Sequence, residues 1–354
     1  MFVTGPQSHA RLIANGANRP SMRARPSHYV TDISCPGPQG TTASFCQSIQ
    51  LATKLSENAA KTRKTGAPLP SLTIGNAGIL SRALSRSECT ANPSFTKDQP
   101  MKVLIVSAHP DPRSLTNALR DVAVEQLRAD GHEVQVSDLY AMNWKAAHDR
   151  DDFPQMGSDE AMHLPFASMN AMADRAFSED IIAEQDKALW ADALILAFPL
   201  WWFSVPAILK GWIDRVWMAG VGYQISGERY GAGRMAGKRA MVMVMVGGGE
   251  SYFSDRGVNG PIEDLLFPIN HGMLYYPGYS VLPPYILHKT DRMEQERFDE
   301  AAEQVRERMR TLFTIAPIPY RPQAEDYTER KFELKDEFLA DAPAGFARHI
   351  RPQA

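Results

Sequence analysis

The run Phe198-Pro-Leu-Trp-Trp-Phe-Ser-Val-Pro-Ala-Ile-Leu-Lys-Gly-Trp-Ile-Asp-Arg-Val-Trp217 constrains this chain more than any other segment. It follows a short apolar stretch at 193–197 that reads as a buried strand, and it leads into a helical pattern that begins near Pro206. Strand, aromatic loop, helix is the unit from which open α/β sheets build ligand sites, at the carboxyl ends of their strands. Leu200, Trp201, Trp202 and Phe203 crowd that loop. Bulky apolar side chains in a loop are costly unless something flat covers them or they pack beneath the loop as a satellite core.

Charge divides the chain. Residues 1–100 hold 11 Lys and Arg against 4 Asp and Glu, whereas the remainder holds 27 against 37. A net-acidic body argues against nucleic acid as the partner, because phosphate binding needs a basic surface. No run of 18 apolar residues occurs, so no membrane-spanning helix is expected. Cys35, Cys46 and Cys89 all precede residue 101, which leaves the body without a cysteine nucleophile, a disulfide or a thiolate metal site. The first hundred residues are rich in Ser, Thr, Pro, Gly, Ala and Arg and lack sustained periodicity. Three readings stand for them: a disordered extension, an organelle transit peptide, or sequence upstream of a natural start at Met101. The location expected for the body is the cytoplasm, or an organelle if the first segment is a transit peptide.

From Met101 the pattern is regular. Strands are expected at 102–108, 133–137, 193–198, 239–246 and 274–282. Helices are expected at 115–129, from Ser178 to about 190, at 206–218, at 261–271 and at 291–313. This alternation predicts an α/β doubly wound parallel sheet of five strands with helices on both faces, in flavodoxin-like order. Residues 140–177 read as a patternless insertion, 101–320 as one domain, and 321–354 as an irregular tail able to wrap a neighbour.

Three loops carry residues suited to chemistry. The first, Ala108-His-Pro-Asp-Pro-Arg-Ser-Leu-Thr-Asn117, joins a strand to a helix N-terminus, where free amides and the helix dipole favour an anion. His109, Arg113, Ser114, Leu115 and Thr116 are its candidate binding residues. It lacks the GxGxxG fingerprint, so a flavin phosphate suits it better than a Rossmann-type dinucleotide. The second is the aromatic loop itself. The third, Gly247-Gly-Gly-Glu-Ser-Tyr-Phe-Ser-Asp-Arg-Gly-Val-Asn-Gly260, lets backbone approach a ligand closely. Scattered histidines and the absence of HExxH predict no metal site.

In the order of these landmarks the chain resembles the flavodoxin-like NAD(P)H:quinone oxidoreductases, the DT-diaphorase-like family. The resemblance runs from Lys102 to about Pro322, with the 198–203 loop and Lys210-Gly-Trp-Ile-Asp-Arg215 matching strongly. It implies FAD rather than FMN as cofactor and NADH or NADPH as hydride donor. It also implies a quinone-like acceptor and a homodimer in which the second subunit supplies part of the pocket. Carried over by position, Pro199, Leu200, Trp202 and Phe203 contact the flavin, and Arg297 lies near its adenosine end; the Gly247 and Gly248 amides, by the openness of their loop, are placed to face the ring edge. Tyr223, Phe253 and Tyr276 face the substrate. Well-characterised members place a Tyr and a His where this chain has Phe253 and Asn259. Tyr252 is adjacent to the first, so Tyr252 and Asn259 become the catalytic candidates, although Asn carries no titratable proton near neutral pH. Two other functions share the fold: an ancillary regulatory subunit of a potassium-efflux system, and an FMN-type azo or nitro reductase.

Overall fold

The computed structural model describes residues 99–223, 229–340 and 342–352. The readings of residues 1–100 lie outside it, save for the last two positions.

β1 (Lys102–Ser107) alternates its buried side chains between two cores, so both faces of the strand are covered. Leu104 and Val106 join one cluster, Val103 and Ile105 the other. A short strand with an apolar centre of this kind, Val103 to Val106, is stable only inside a sheet packed on both sides. The sheet continues with β2 (Glu133–Asp138), β3 (Ala193–Pro199) and β4 (Arg239–Met245), all parallel, in the order β2-β1-β3-β4-β5. That is the order expected of a flavodoxin-like sheet. α1 (Leu115–Ala129) and α6 (Gln295–Arg310) cover one face, with Leu119, Ala123, Ala301 and Val305 in the shared core. α2 (Leu164–Asp174), α3 (Glu179–Trp190), α4 (Ala207–Val216) and α5 (Ile262–Phe267) contribute to the other.

The expected fifth strand at 274–282 is a correction. Pro268–Tyr275 forms a π-helix that follows α5 directly, and only β5 (Ser280–Val281) is extended. Pro283 and Pro284 then interrupt the chain, and β6 (Tyr285–Leu287) resumes alongside β4. Proline cannot donate to a ladder, which is why the edge position is filled by two short pieces rather than one strand. Tyr276 therefore ends a helix and lies in no strand.

The 140–177 insertion is packed, not patternless. Arg215 on α4 is 1% exposed and donates to the Asp152 carboxylate at 2.9 Å, to the Lys145 carbonyl at 3.0 Å, and lies over the Trp144 ring. Burial pushes the Asp152 carboxyl up, but Arg215 and Lys145 outweigh it and hold it below its usual range. Gly211 sits where the insertion crosses α4: a Cβ there would lie 2.1 Å from the Ala146 carbonyl oxygen. The tail folds back on its own chain, through Arg321 to Asp326 at 2.9 Å and a bridge between Tyr320 and Ile350.

Candidate functional site

All strands run parallel, so the carboxyl ends of β1, β3 and β4 meet at one edge. Backbone bonds then bring the three following loops together. The Ala108 amide donates to Ala197 O at 3.1 Å, the Leu200 amide to Met245 O at 2.8 Å, and the Lys289 amide to Gly248 O at 3.0 Å.

The first loop is built around α1. Ser114 caps the helix by accepting the Asn117 amide at 3.2 Å. The Leu115 and Thr116 amides, the first two of the helix, have no intrahelical acceptor. His109 Nδ1 accepts the Asp111 amide at 3.1 Å, which leaves Nε2 as the protonated nitrogen. Arg113 is strongly exposed and pairs with Asp111 at 3.1 Å, which lowers the Asp111 carboxyl to about 2. Asn117 is buried and spent on structure: its amide nitrogen donates to Asp111 O at 3.1 Å, and its oxygen accepts from Arg120. Leu115 is half-buried on the core and Thr116 is buried, so their contribution to a ligand is through backbone.

The aromatic loop is a two-residue hairpin. Trp201 and Ser204 exchange both backbone hydrogen bonds, at 3.1 and 3.0 Å. Trp202 (φ 49°) and Phe203 (φ 61°) both lie in the left-handed region between them. Turns with two positive φ values favour Asn-Gly; an aromatic pair there costs about 1–3 kcal/mol per residue. Trp202 is nevertheless 95% exposed and Phe203 49%. The hairpin spends strain to hold two aromatic faces in the open. Trp201 turns back toward the first loop, its ring 5.8 Å from His109. Pro199 is buried at the end of β3, and Leu200 is partly buried.

In the third loop, neither the Gly247 nor the Gly248 amide donates to a described group. A Cβ on Gly248 would meet the Phe253 ring at 3.0 Å, and one on Gly247 the Asp291 carboxylate at 2.6 Å. The loop closes on itself through the Asn259 amide, which donates to Tyr252 O at 3.0 Å. That bond brings Tyr252, 56% exposed, and the half-buried Asn259 to one place. Phe253 is buried between Gly248 and the His288 ring, so it supports the loop from beneath.

Two groups of expected site residues lie outside the three loops. Arg297 spends its guanidinium on the carbonyls of His288 and Lys289, tying α6 to the strand that backs the glycine loop. Tyr223 and Tyr276, with ring centres 6.4 Å apart, line a cavity of about 450 Å³ with Trp217, His148 and Asp214. Burial pushes the Tyr223 phenol up. The sequence reading passed over Trp217, whose indole nitrogen is buried without an acceptor, and His148, which contacts Asp152 at 2.6 Å. Trp217 was legible only as a core aromatic, and His148 sits in the segment read as patternless.

The donors and surfaces fit a flavin. Amides and cationic groups at the start of α1 suit phosphate, the exposed aromatic pair suits a flat ring, and the free glycine amides suit a ring edge that gains negative charge. Among the described residues no helix is long and apolar enough to cross a membrane.

A family model for the flavodoxin-like fold matches residues 101–311. A ribosyldihydronicotinamide dehydrogenase-like protein of Penicillium crustosum is 48% identical over 261 residues, covering 72% of this chain and 97% of that protein. The rat NAD(P)H dehydrogenase [quinone] 1 is 36% identical over 224 residues, covering 63% of this chain and 81% of its own. Among solved structures, a Klebsiella pneumoniae protein assigned as a quinone reductase superposes with a TM-score of 0.69 at 48% identity, covering 71% of this chain and all of that one. The chain belongs to the flavodoxin-like NAD(P)H dehydrogenase (quinone) family.

Proposed function

We propose that this protein is an FAD-dependent NAD(P)H dehydrogenase (quinone) that acts as a homodimer. The observation that carries the reading is the Trp202–Phe203 hairpin, whose exposed rings and left-handed backbone suit a flat ligand. The overall reaction converts NAD(P)H, a proton and a quinone into NAD(P)⁺ and a hydroquinone. A flavin bound here would supply two-electron chemistry, relaying a hydride equivalent from the nicotinamide to the quinone.

The chain's own residues bind and orient. His109 Nε2, Arg113 and the Leu115 and Thr116 amides would hold the flavin's phosphate groups; the choice of FAD over FMN follows the family resemblance. Trp202 and Phe203 fix the ring plane, and with it the donor distance. The Gly247 and Gly248 amides stabilise negative charge on the ring edge. Tyr252 Oη and the Asn259 side-chain NH₂ donate hydrogen bonds to the quinone oxygen; the proton it finally takes comes from solvent, since Asn259 cannot supply one. Tyr223 and Tyr276, which line a cavity outside the three loops, complete the site of a second copy. The apolar residues Leu164, Phe166 and Met169, left exposed on α2, would be covered in that dimer.

Denaturing the purified protein and identifying the released cofactor tests the flavin assignment: FAD is expected, and FMN would move the protein to the azo or nitro reductases. The relatives' names point to two donors, a dihydronicotinamide riboside and NAD(P)H. Rates with each, at equal quinone, establish which one this chain uses.

A further inference from the structure

The tail that follows α6 builds a second cavity, away from the sheet edge. It has a volume of about 220 Å³ and is walled by Tyr230, His271, Arg321, Gln323, Tyr327 and His349, with Phe332 also on its lining. Two of its walls are ring pairs. Tyr230 and His271 lie 4.9 Å apart at 30°, and Tyr327 and His349 lie 6.0 Å apart at 9°. Phe332 is 61% exposed and held at φ 57°, a conformation costly for a bulky residue. An apolar cavity of about 150 Å³ accepts a benzene ring, so this one takes a single ring with a substituent.

Charge narrows the occupant. Arg321 is 4% exposed and is neutralised by Asp326 at 2.9 Å, so the pocket offers neither an anion nor a cation a net charge to pair with. Burial, with His349 nearby, lowers His271 to about 4, so the imidazole is neutral. Polar capacity remains without charge. The Gln323 side chain bonds to no described group, and Arg321 uses Nε on Arg348 O and Nη1 on Asp326 while Nη2 donates to none. Neutral flat walls with spare donors match a neutral ring carrying a hydroxyl.

We propose that the cavity between the tail and Tyr230–His271 is a binding site for a small neutral hydroxylated aromatic, separate from the flavin edge. The ring stacks between the two aromatic pairs, and its hydroxyl meets Gln323 and Arg321 Nη2. Tyr230 also meets the Tyr276 ring edge-on at 5.0 Å, so the occupant would back directly onto the cavity that holds Tyr223 and Tyr276.

The test is a fluorine NMR titration of 4-fluorophenol into the full-length, flavin-loaded protein. Saturable binding is expected. Gln323→Phe, which fills the cavity, should weaken it at least tenfold, and Phe332→Ala, at an exposed position, should weaken it several-fold. Trp202→Ala should leave it unchanged. Melting temperature serves as the folding control for each variant, with flavin absorbance added for Gln323→Phe and Phe332→Ala. Absence of saturable binding, binding unchanged in both Gln323→Phe and Phe332→Ala, or binding lost in Trp202→Ala would overturn the proposal. None of these outcomes bears on electron transfer at the flavin, so the two readings fail separately.

Discussion

Trp202 and Phe203 hold a conformation that glycine would adopt at less cost, and they hold it with their side chains in solvent. Strain of this kind persists where a ligand repays it. Trp202→Gly should therefore stabilise the flavin-free protein by about 1 kcal/mol while weakening flavin binding by about 1–2 kcal/mol, roughly ten-fold. Urea melts of the apoprotein and a flavin titration read the two signs independently; a loss of apoprotein stability would mean that the rings serve the fold. Tyr252→Phe removes one donor to the quinone and should lower the rate of quinone reduction by roughly 10²-fold with donor oxidation less affected, seen by stopped-flow of the two half-reactions. His271 gives a pH signature. Burial lowers it to about 4, against about 6.5 when unfolded, so the unfolded chain takes up a proton first as pH falls. Its contribution is therefore lost through the window from about 6.5 down to about 4, at most about 3 kcal/mol. In urea melts between pH 7 and pH 5, His271→Phe should flatten part of that decline.

α4 shows how an element positions a site from a distance. Its N-terminus follows the aromatic hairpin, and its far side is clamped to the insertion by Arg215. Gly211→Ala would push a methyl group into the Ala146 carbonyl, so a loss of about 2–3 kcal/mol in thermal or urea unfolding is expected. Unchanged stability would show that the insertion is loosely held. The sheet and its site edge were legible because β1, β3 and β4 are apolar runs that end in signalled loops. The π-helix at Pro268–Tyr275 was not, since its wide turn matches neither the helical period nor the strand period, and its apolar residues imitate a strand. The packed insertion and tail were also hidden. Their order depends on single buried charges, Asp152 with Arg215 and Asp326 with Arg321, and a lone charge in a sequence reads as surface. The three loops that meet at the edge were findable because each follows a strand. The structural roles of Asn117, Phe253 and Arg297 were not, since a hydrogen-bonded or packed polar residue has the same sequence signal as a ligand contact.

At the scale of the molecule, the parallel sheet gathers an anion site, an aromatic platform and a set of free amides at one edge, while the tail closes a separate cavity. This division follows from topology: parallel strands place every strand-to-helix loop at the same end, and the tail can reach only what that edge leaves uncovered. In the function proposed, that edge binds flavin and passes electrons from a nicotinamide to a quinone. The direct measurement is an anaerobic spectral titration of the purified full-length protein. NADPH, NADH or dihydronicotinamide riboside should bleach the flavin band, and a stoichiometric quinone should restore it. A protein that binds neither FAD nor FMN, or whose bound flavin no reduced nicotinamide bleaches, would contradict the account.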